Sequence, residues 1–129
     1  MPVLNKTALN AIDLVLLYVE NPAASAAFYA SLFGRPPAEE APGFAMFVLP
    51  GGGKLGLWKR TEVLPAPVAA PGAGELNFIL SGKPALEALH EAWAAQGIRI
   101  LQPPAEMDFG YTFAAADPDG HRLRALVPN

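Results

Sequence analysis

The pattern of hydrophobic and polar residues divides the first half of the chain into one helix and four strands. Residues 12–19 form an apolar run of strand length, interrupted only by Asp13 and rich in residues that favour β-structure. A helix is predicted over 22–33, because Asn21 can cap its amino end and Gly34 can end it in the left-handed conformation. Three further strands are predicted from the segments that follow, at 36–41, 44–49 and 54–59.

The second half of the chain repeats this order. A strand over 75–81 precedes a helix over 84–96, which Gly97 closes. The next strand begins at 98 and is predicted to end at 101, before Pro103 and Pro104. Two more strands, at 110–116 and 121–127, flank a tight-turn sequence, Asp-Pro-Asp-Gly.

Both halves therefore have the order βαβββ, and two copies are too few for a solenoid. The predicted fold is α+β, with two βαβββ modules at about 10–60 and 75–128. Together the modules are expected to form a curved eight-stranded mixed sheet around a cavity. An irregular connector at 61–74, rich in Pro, Gly and Ala, joins them within a single domain of 129 residues.

Composition excludes several classes of protein. Apolar residues make up 52% of the chain and charged residues 16%, so it can bury a core of its own. Nine Lys and Arg residues against 12 Asp and Glu give a net charge of −3, so neither nucleic acid nor a membrane is an expected partner. The chain has no cysteine, which excludes disulfides and thiolate chemistry. No export signal is evident at the amino terminus, and a cytoplasmic location is expected.

The residue types give little support to metal catalysis. A divalent-metal site needs three or four converging His, Asp or Glu side chains, and only His90 and His121 supply imidazoles. His90 is expected on the surface of a helix, and Asp117 and Asp119 are expected to stabilise their own turn. Glu75 is the one carboxylate predicted to point into a central cavity. We therefore predict no metal and no cofactor.

The aromatic side chains are more informative. Period-two alternation places Trp58 on the opposite side of its strand from Leu55 and Leu57, and so on the face predicted to carry Glu75, Asn77 and Arg124. A tryptophan on the polar side of a half-buried strand is a platform for a flat ligand; the alternative is that it packs in the core or against a second subunit. Trp93, on the apolar stripe of the second helix, is expected in the core. The predicted binding residues are Trp58 for stacking, Phe44, Met46, Phe109 and Tyr111 as apolar walls, and Glu75, Asn77 and Arg124 as polar contacts.

Two segments resemble signatures of the glyoxalase/bleomycin-resistance/extradiol-dioxygenase superfamily, also called the vicinal oxygen chelate fold. Residues 19–34, VENPAASAAFYASLFG, resemble its first-helix signature, and residues 113–124, FAAADPDGHRLR, resemble its closing strand-turn-strand signature. The resemblance spans nearly the whole chain and implies the same paired βαβββ order. Within the superfamily, the segments Gly-Leu-Trp at 56–58 and Asp-Phe-Gly-Tyr-Thr-Phe at 108–113 are similar to the phenazine-antibiotic resistance type.

The resemblance also implies where the enzymes of the superfamily would hold a metal. The corresponding positions here are Leu14, Leu57 or Trp58, Glu75 or Asn77, and Arg124, where the enzymes usually have Glu. Apart from Glu75 none of these side chains can hold a metal, and Arg124 would repel one. The resemblance therefore implies the branch without metal, whose members sequester drugs such as bleomycin, mitomycin or phenazines in a cavity, commonly at a dimer interface.

The sequence thus predicts a non-catalytic protein that binds and sequesters a planar aromatic small molecule, either an antibiotic such as a phenazine or a related metabolite, and so confers resistance. A homodimer is expected. Two alternatives remain open. One is a metal-dependent lyase or dioxygenase of the same superfamily that uses Glu75 and His121, and the other is a domain that binds a protein partner and no small molecule.

Overall fold

The computed structural model describes residues 9–129 and contains two helices and eight strands in the order βαβββ, repeated once. Residues 1–8, to which the prediction of no export signal also applies, lie outside the described residues. The first module consists of β1 (Leu14–Val19), α1 (Pro22–Phe33), β2 (Glu39–Ala41), β3 (Phe44–Val48) and β4 (Lys54–Lys59). The second consists of β5 (Glu75–Ile79), α2 (Lys83–Ala95), β6 (Arg99–Met107), β7 (Gly110–Ala116) and β8 (Arg122–Pro128).

The eight strands form two mixed four-stranded sheets, ordered β1-β4-β3-β2 and β5-β8-β7-β6. In each sheet the first strand of the module runs parallel to its last strand, and the remaining pairs are antiparallel. This architecture confirms the predicted α+β fold of paired βαβββ modules. The eight predicted strands are divided between two sheets and do not form one continuous eight-stranded sheet, because β1 and β5, an edge strand of each sheet, are not hydrogen-bonded to one another.

Local capping sets the ends of α1 where the sequence predicts them. The Asn21 side chain accepts a hydrogen bond from the Ala24 N–H at 3.1 Å, and Pro22 occupies the first helical position. Gly34 has a φ of 65°, and its N–H donates to the Ala30 carbonyl at 2.9 Å. These contacts lie within a few residues of one another, so the sequence alone was enough to place both ends.

A shared core lies against both helices. Tyr29, Phe47 and Phe113 are fully buried in it, and they come from α1, the first sheet and the second sheet respectively. Phe33 of α1 contacts Phe47, with ring centroids 5.4 Å apart, so α1 covers its own sheet. Trp93 of α2 contacts Phe113 at 5.3 Å and is 6% exposed, which agrees with its predicted place in the core. Both helices therefore cover one side of the sheets.

The tight turn between β7 and β8 joins the second module to the first. The Tyr29 hydroxyl donates to Asp117 Oδ2 at 2.7 Å in the core. The Ser25 hydroxyl donates to Asp119 Oδ2 at 3.3 Å, and the Glu20 N–H donates to Asp119 Oδ1 at 2.9 Å. Asp117 also accepts hydrogen bonds from backbone N–H groups of its own turn. The two carboxylates thus stabilise their turn, as predicted, and in addition bind the modules together.

The structure corrects the lengths of two strands: β2 begins at Glu39 and not at 36, and β6 is longer than predicted. β6 does not end before Pro103 and Pro104 but continues through both to Met107. Proline lacks an N–H and is tolerated at a sheet edge, and β6 is the outer strand of its sheet. Register shifts on either side of Gln102 accommodate the prolines in the pairing with β7.

Candidate ligand-binding site

Each sheet covers the core with one face and leaves the other face without a helix; we call these the first and second open faces. In the first sheet Phe47, Leu55 and Leu57 are buried in the core, so the alternate residues of the same strands point to the open side. The first open face is formed by Leu14, Leu16 and Tyr18 of β1, Phe44, Met46 and Val48 of β3, and Lys54, Gly56 and Trp58 of β4.

Three aromatic residues form one row across the first open face. Trp58 lies in register between Tyr18 on one side and Phe44 on the other. The rings of Tyr18 and Trp58 meet edge to face, with centroids 6.2 Å apart and an interplanar angle of 79°. Trp58 is half-buried and Tyr18 is 36% exposed, so the row presents aromatic surface to a ligand.

The neighbouring row is centred on a glycine. Gly56 lies in register between Leu16 and Met46. A Cβ atom built on Gly56 would lie 2.5 Å from Leu16 Cδ2 and 3.2 Å from the Phe44 ring. These two side chains therefore lean over the glycine, and the two rows form one continuous apolar surface. The predicted residues Trp58, Phe44 and Met46 are brought together on this surface.

The second open face is polar and is organised by Arg124. Its Nε donates to Glu75 Oε1 at 2.8 Å, and its Nη1 donates to Gln102 Oε1 at 2.9 Å and to Thr112 Oγ1 at 3.2 Å. The Arg124 side chain is 14% exposed and that of Glu75 is 30% exposed. Partial burial and three partners hold the guanidinium in one orientation. Asn77 is in register with Arg124 and belongs to the same face.

Tyr111 lies on the opposite side of the second sheet from its predicted position. Its hydroxyl donates to Glu87 Oε2 of α2 at 2.9 Å, and this hydrogen bond raises the pKa of Tyr111. The reason is the alternation of β7: Phe113 is fully buried in the core, so Tyr111, two residues earlier, also points to the helix side. Tyr111 is therefore part of neither open face.

Phe109 lies outside both open faces as well. It occupies the hairpin turn between β6 and β7 and is 45% exposed. Its carbonyl accepts a hydrogen bond from the Asn129 N–H at 3.3 Å, which ties the turn to the carboxyl end of the chain. Of the predicted residues, six are on the open faces, three on each, so Trp58 lies on a different sheet from Glu75, Asn77 and Arg124, whose face it was predicted to share.

A cavity of about 420 Å³ lies between β1, the connector and the beginnings of β5 and β8; we call it the junction cavity. It is lined by Leu16 and Tyr18, which also belong to the first open face, and by Glu75, which belongs to the second. The junction cavity therefore borders both faces. Apolar side chains and backbone of Val15, Leu17 and residues 67–74 form much of the remaining wall.

Polar side chains hold the walls of the junction cavity in place. The Nη1 and Nη2 atoms of Arg60 each donate to the Ala69 carbonyl at 3.3 Å, which fixes the connector. His121 Nε2 lies 3.0 Å from the Tyr18 carbonyl oxygen and so bridges β1 and the second module. Arg122 is exposed and borders the same cavity. Sequence reasoning missed this cavity because the connector has no periodic pattern.

The residues at the superfamily's metal-binding positions do not form a donor set for a metal. Leu14 has no donor atom, and Leu57 is fully buried in the core. The carboxylate of Glu75 is already paired with Arg124, so a cation there would have to replace a guanidinium. Across residues 9–129 there is no group of three or more His, Cys, Asp or Glu side chains that could hold a metal ion. We derive no catalytic step through a metal.

Comparisons with known proteins agree with the fold. Residues 11–125 match the family described as the Glyoxalase/Bleomycin resistance protein/Dioxygenase superfamily. The chain is 31% identical over 116 residues to the phenazine antibiotic resistance protein EhpR of Enterobacter agglomerans, a match that covers 87% of this chain and 88% of that protein. Neither helix within residues 9–129 is long and apolar enough to cross a membrane.

Solved structures are similar over nearly the whole chain. The solution NMR structure of protein ATC0852 from Agrobacterium tumefaciens has a TM-score of 0.86 and 45% sequence identity, and the match covers 94% of this chain and 99% of that one. The crystal structure of a glyoxalase-related enzyme from Fulvimarina pelagi has a TM-score of 0.81 and 25% identity, covering 92% and 88%. As the two signature segments predict, the chain belongs to the Glyoxalase/Bleomycin resistance protein/Dioxygenase superfamily.

Proposed function

We propose that this protein binds a planar aromatic small molecule without transforming it, and that sequestration of the molecule confers resistance. The observation that carries the proposal is the aromatic row of the first open face. Trp58 lies between Tyr18 and Phe44 beside an apolar floor at Gly56. A flat ring laid on this surface would bury a large apolar area and gain favourable ring–ring contacts.

The second open face supplies polar groups to the same ligand. Arg124 and Glu75 hold one another in a fixed geometry, and Asn77 lies beside them with its amide exposed. A few oriented polar groups next to a large apolar surface are typical of small-molecule sites, because they fix the orientation of the ligand. This arrangement favours recognition of a ring that carries polar substituents.

Similarity to EhpR points to the same ligand class. That relative is a phenazine antibiotic resistance protein, and phenazine is a flat, three-ring aromatic compound. The match covers 87% of this chain, and so extends over most of both open faces. We also propose a homodimer, because Leu14, Leu16 and Val48 leave 37–40% of their surfaces exposed on the first open face, where a second copy could cover them.

Intrinsic fluorescence tests the proposal, because the chain has only two tryptophans and they lie in different places. Titration of the wild-type protein with phenazine should quench the emission of Trp58 on the open face. The Trp58→Phe variant should lose most of the quenching, whereas the matched control Trp93→Phe, in the core, should retain it. Calorimetry should show that Trp58→Ala binds phenazine about tenfold more weakly. Equal affinities of Trp58→Ala and the wild type would contradict the stacking role.

A further inference from the structure

We propose that the ligand is an anionic aromatic compound, a ring carboxylate, and that Arg122 in the wall of the junction cavity binds its negative charge. The inference rests on the proposed function and specifies the ligand class within it. Two observations support it: the distribution of charge around the junction cavity, and the hydrogen bonds that the neighbouring arginines already make.

The junction cavity is a cationic site in an acidic chain. The whole chain has a net charge of −3, yet Arg60 and Arg122 line the cavity against one carboxylate, that of Glu75. Glu75 is already neutralised by Arg124 at 2.8 Å. The neutral peptide and apolar side chains of the connector form much of the remaining wall, and such a wall strengthens the field of the arginines. An anion is therefore the complementary ligand group.

The hydrogen bonds single out Arg122 among the three arginines. Arg124 donates to Glu75, Gln102 and Thr112. Both terminal nitrogens of Arg60 donate to a backbone carbonyl of the connector. Arg122 is exposed, and within residues 9–129 its side chain has neither a hydrogen bond nor an ion pair. Its guanidinium is free to form the paired hydrogen bonds that a carboxylate accepts.

The position of the cavity allows one ligand to reach both sites. Tyr18 lines the junction cavity and also contacts Trp58, with ring centroids 6.2 Å apart. A ring that lies against these two side chains is adjacent to the cavity. Arg122 is in register with Glu75 at the beginning of the second sheet, on the cavity side. In the proposed binding mode the ring remains on the aromatic row, and its carboxylate enters the cavity beside Tyr18, which is shared by the row and the cavity wall.

The test compares phenazine with phenazine-1-carboxylate by calorimetry on the full chain. The wild type should bind the carboxylate about tenfold more tightly than the neutral ring, the size expected for a charge-assisted hydrogen-bonded pair. Arg122→Gln should remove this preference and leave the affinity for neutral phenazine unchanged. Arg35→Gln is the matched control, since it makes the same change of charge at a residue whose Nη1 donates to the Val48 carbonyl, outside the cavity.

A second variant guards against misfolding of the first. Arg122→Lys keeps the charge but loses the paired donors, so it should retain only part of the preference. Equal affinities of the wild type for the two compounds, or a full preference in a folded Arg122 variant, would overturn the inference and leave ring binding intact. Failure of both compounds to bind the wild type would overturn the proposed function and, with it, this inference.

Discussion

The two modules share one topology but present different chemistry on equivalent strands. In the first module Trp58 of β4 lies in an aromatic row, whereas in the second Arg124 of β8 lies in a hydrogen-bonded polar row. The core-facing positions are apolar in both, with Leu57 and Leu123 fully buried. The difference shows that the fold constrains only one side of each sheet. The open sides are free to diverge, and ligand chemistry can reside there.

The equivalent hairpin turns of the two modules also carry different side chains. The turn between β3 and β4 contains Gly51, Gly52 and Gly53, which have no side chains to reach the other module. The turn between β7 and β8 contains Asp117 and Asp119, which bind the beginning and middle of α1. Of these two turns, only the turn of the second module therefore has side chains that hydrogen-bond to the other module. This asymmetry can be tested by mutation.

The largest effect on stability is expected at the buried hydrogen bond between Tyr29 and the turn of the second module. Tyr29→Phe removes the hydroxyl that donates to Asp117 Oδ2 at 2.7 Å and should lower the free energy of unfolding by about 2 kcal/mol. Urea denaturation measures this loss. Tyr111→Phe is the matched control, because it removes a hydroxyl–carboxylate hydrogen bond at the surface and should change stability little. Equal losses in the two variants would show that the turn does not hold the modules together.

Alkaline pH should distinguish Tyr29→Phe from the wild type. Burial, followed by the charge and hydrogen bond of Asp117, raises the pKa of Tyr29 far above its usual value of 10.0. The unfolded chain releases this proton near pH 10, whereas the folded chain retains it. The stabilisation from Tyr29 is therefore complete below about pH 10 and is lost progressively as the pH rises above that value. Tyr29→Phe should show a shallower alkaline loss of stability than the wild type in pH-dependent urea titrations.

A smaller effect is expected from the polar network of the second open face. Arg124→Gln removes the donor shared by Glu75, Gln102 and Thr112 and should lower the free energy of unfolding by about 1 kcal/mol. Arg122→Gln makes the same substitution two residues away, at a side chain without partners among residues 9–129, and should leave thermal stability close to that of the wild type. A similar loss in both variants would mean that the network contributes no specific stabilisation.

The smallest effect is expected at the floor of the first open face. Gly56→Ala places a methyl group against Leu16 Cδ2 and the Phe44 ring, which must move to admit it. The apolar floor should become uneven, and the affinity for phenazine should fall by a few-fold in calorimetry. Gly53→Ala is the control, since a Cβ there meets no heavy atom within 4 Å. Unchanged affinity of Gly56→Ala would place the ring elsewhere.

Local signals explain what the sequence predicted well. The ends of α1 depend on Asn21 and Gly34, which act within one turn of the helix. The face of Trp58 follows from the buried Leu55 and Leu57, because successive side chains of a strand point to opposite sides of the sheet. The common face of Glu75 and Arg124 was predicted on the same basis, and their ion pair is consistent with it.

Sequence reasoning failed where both sides of a strand carry similar residues. β1 is apolar throughout, so alternation could not show that Tyr18 lies on the open side. β7 has Tyr111, Thr112 and Phe113 in succession, and only the burial of Phe113 shows to which side Tyr111 belongs. Gln102, a partner of Arg124, lay just past the predicted end of its strand. The junction cavity depends on tertiary contacts of the connector, which local patterns do not encode.

The prolines of β6 have a consequence for how copies of this chain can associate. Pro103 and Pro104 remove two amide donors from β6, an edge strand of the second sheet, and β2, the equivalent edge strand of the first sheet, is only three residues long. These two edge strands offer no long, regular ladder to an incoming strand, so edge-to-edge pairing between copies is disfavoured there. Association of two copies is therefore disfavoured at β2 and β6, which leaves the exposed apolar side chains of the first open face for the dimer contact proposed above.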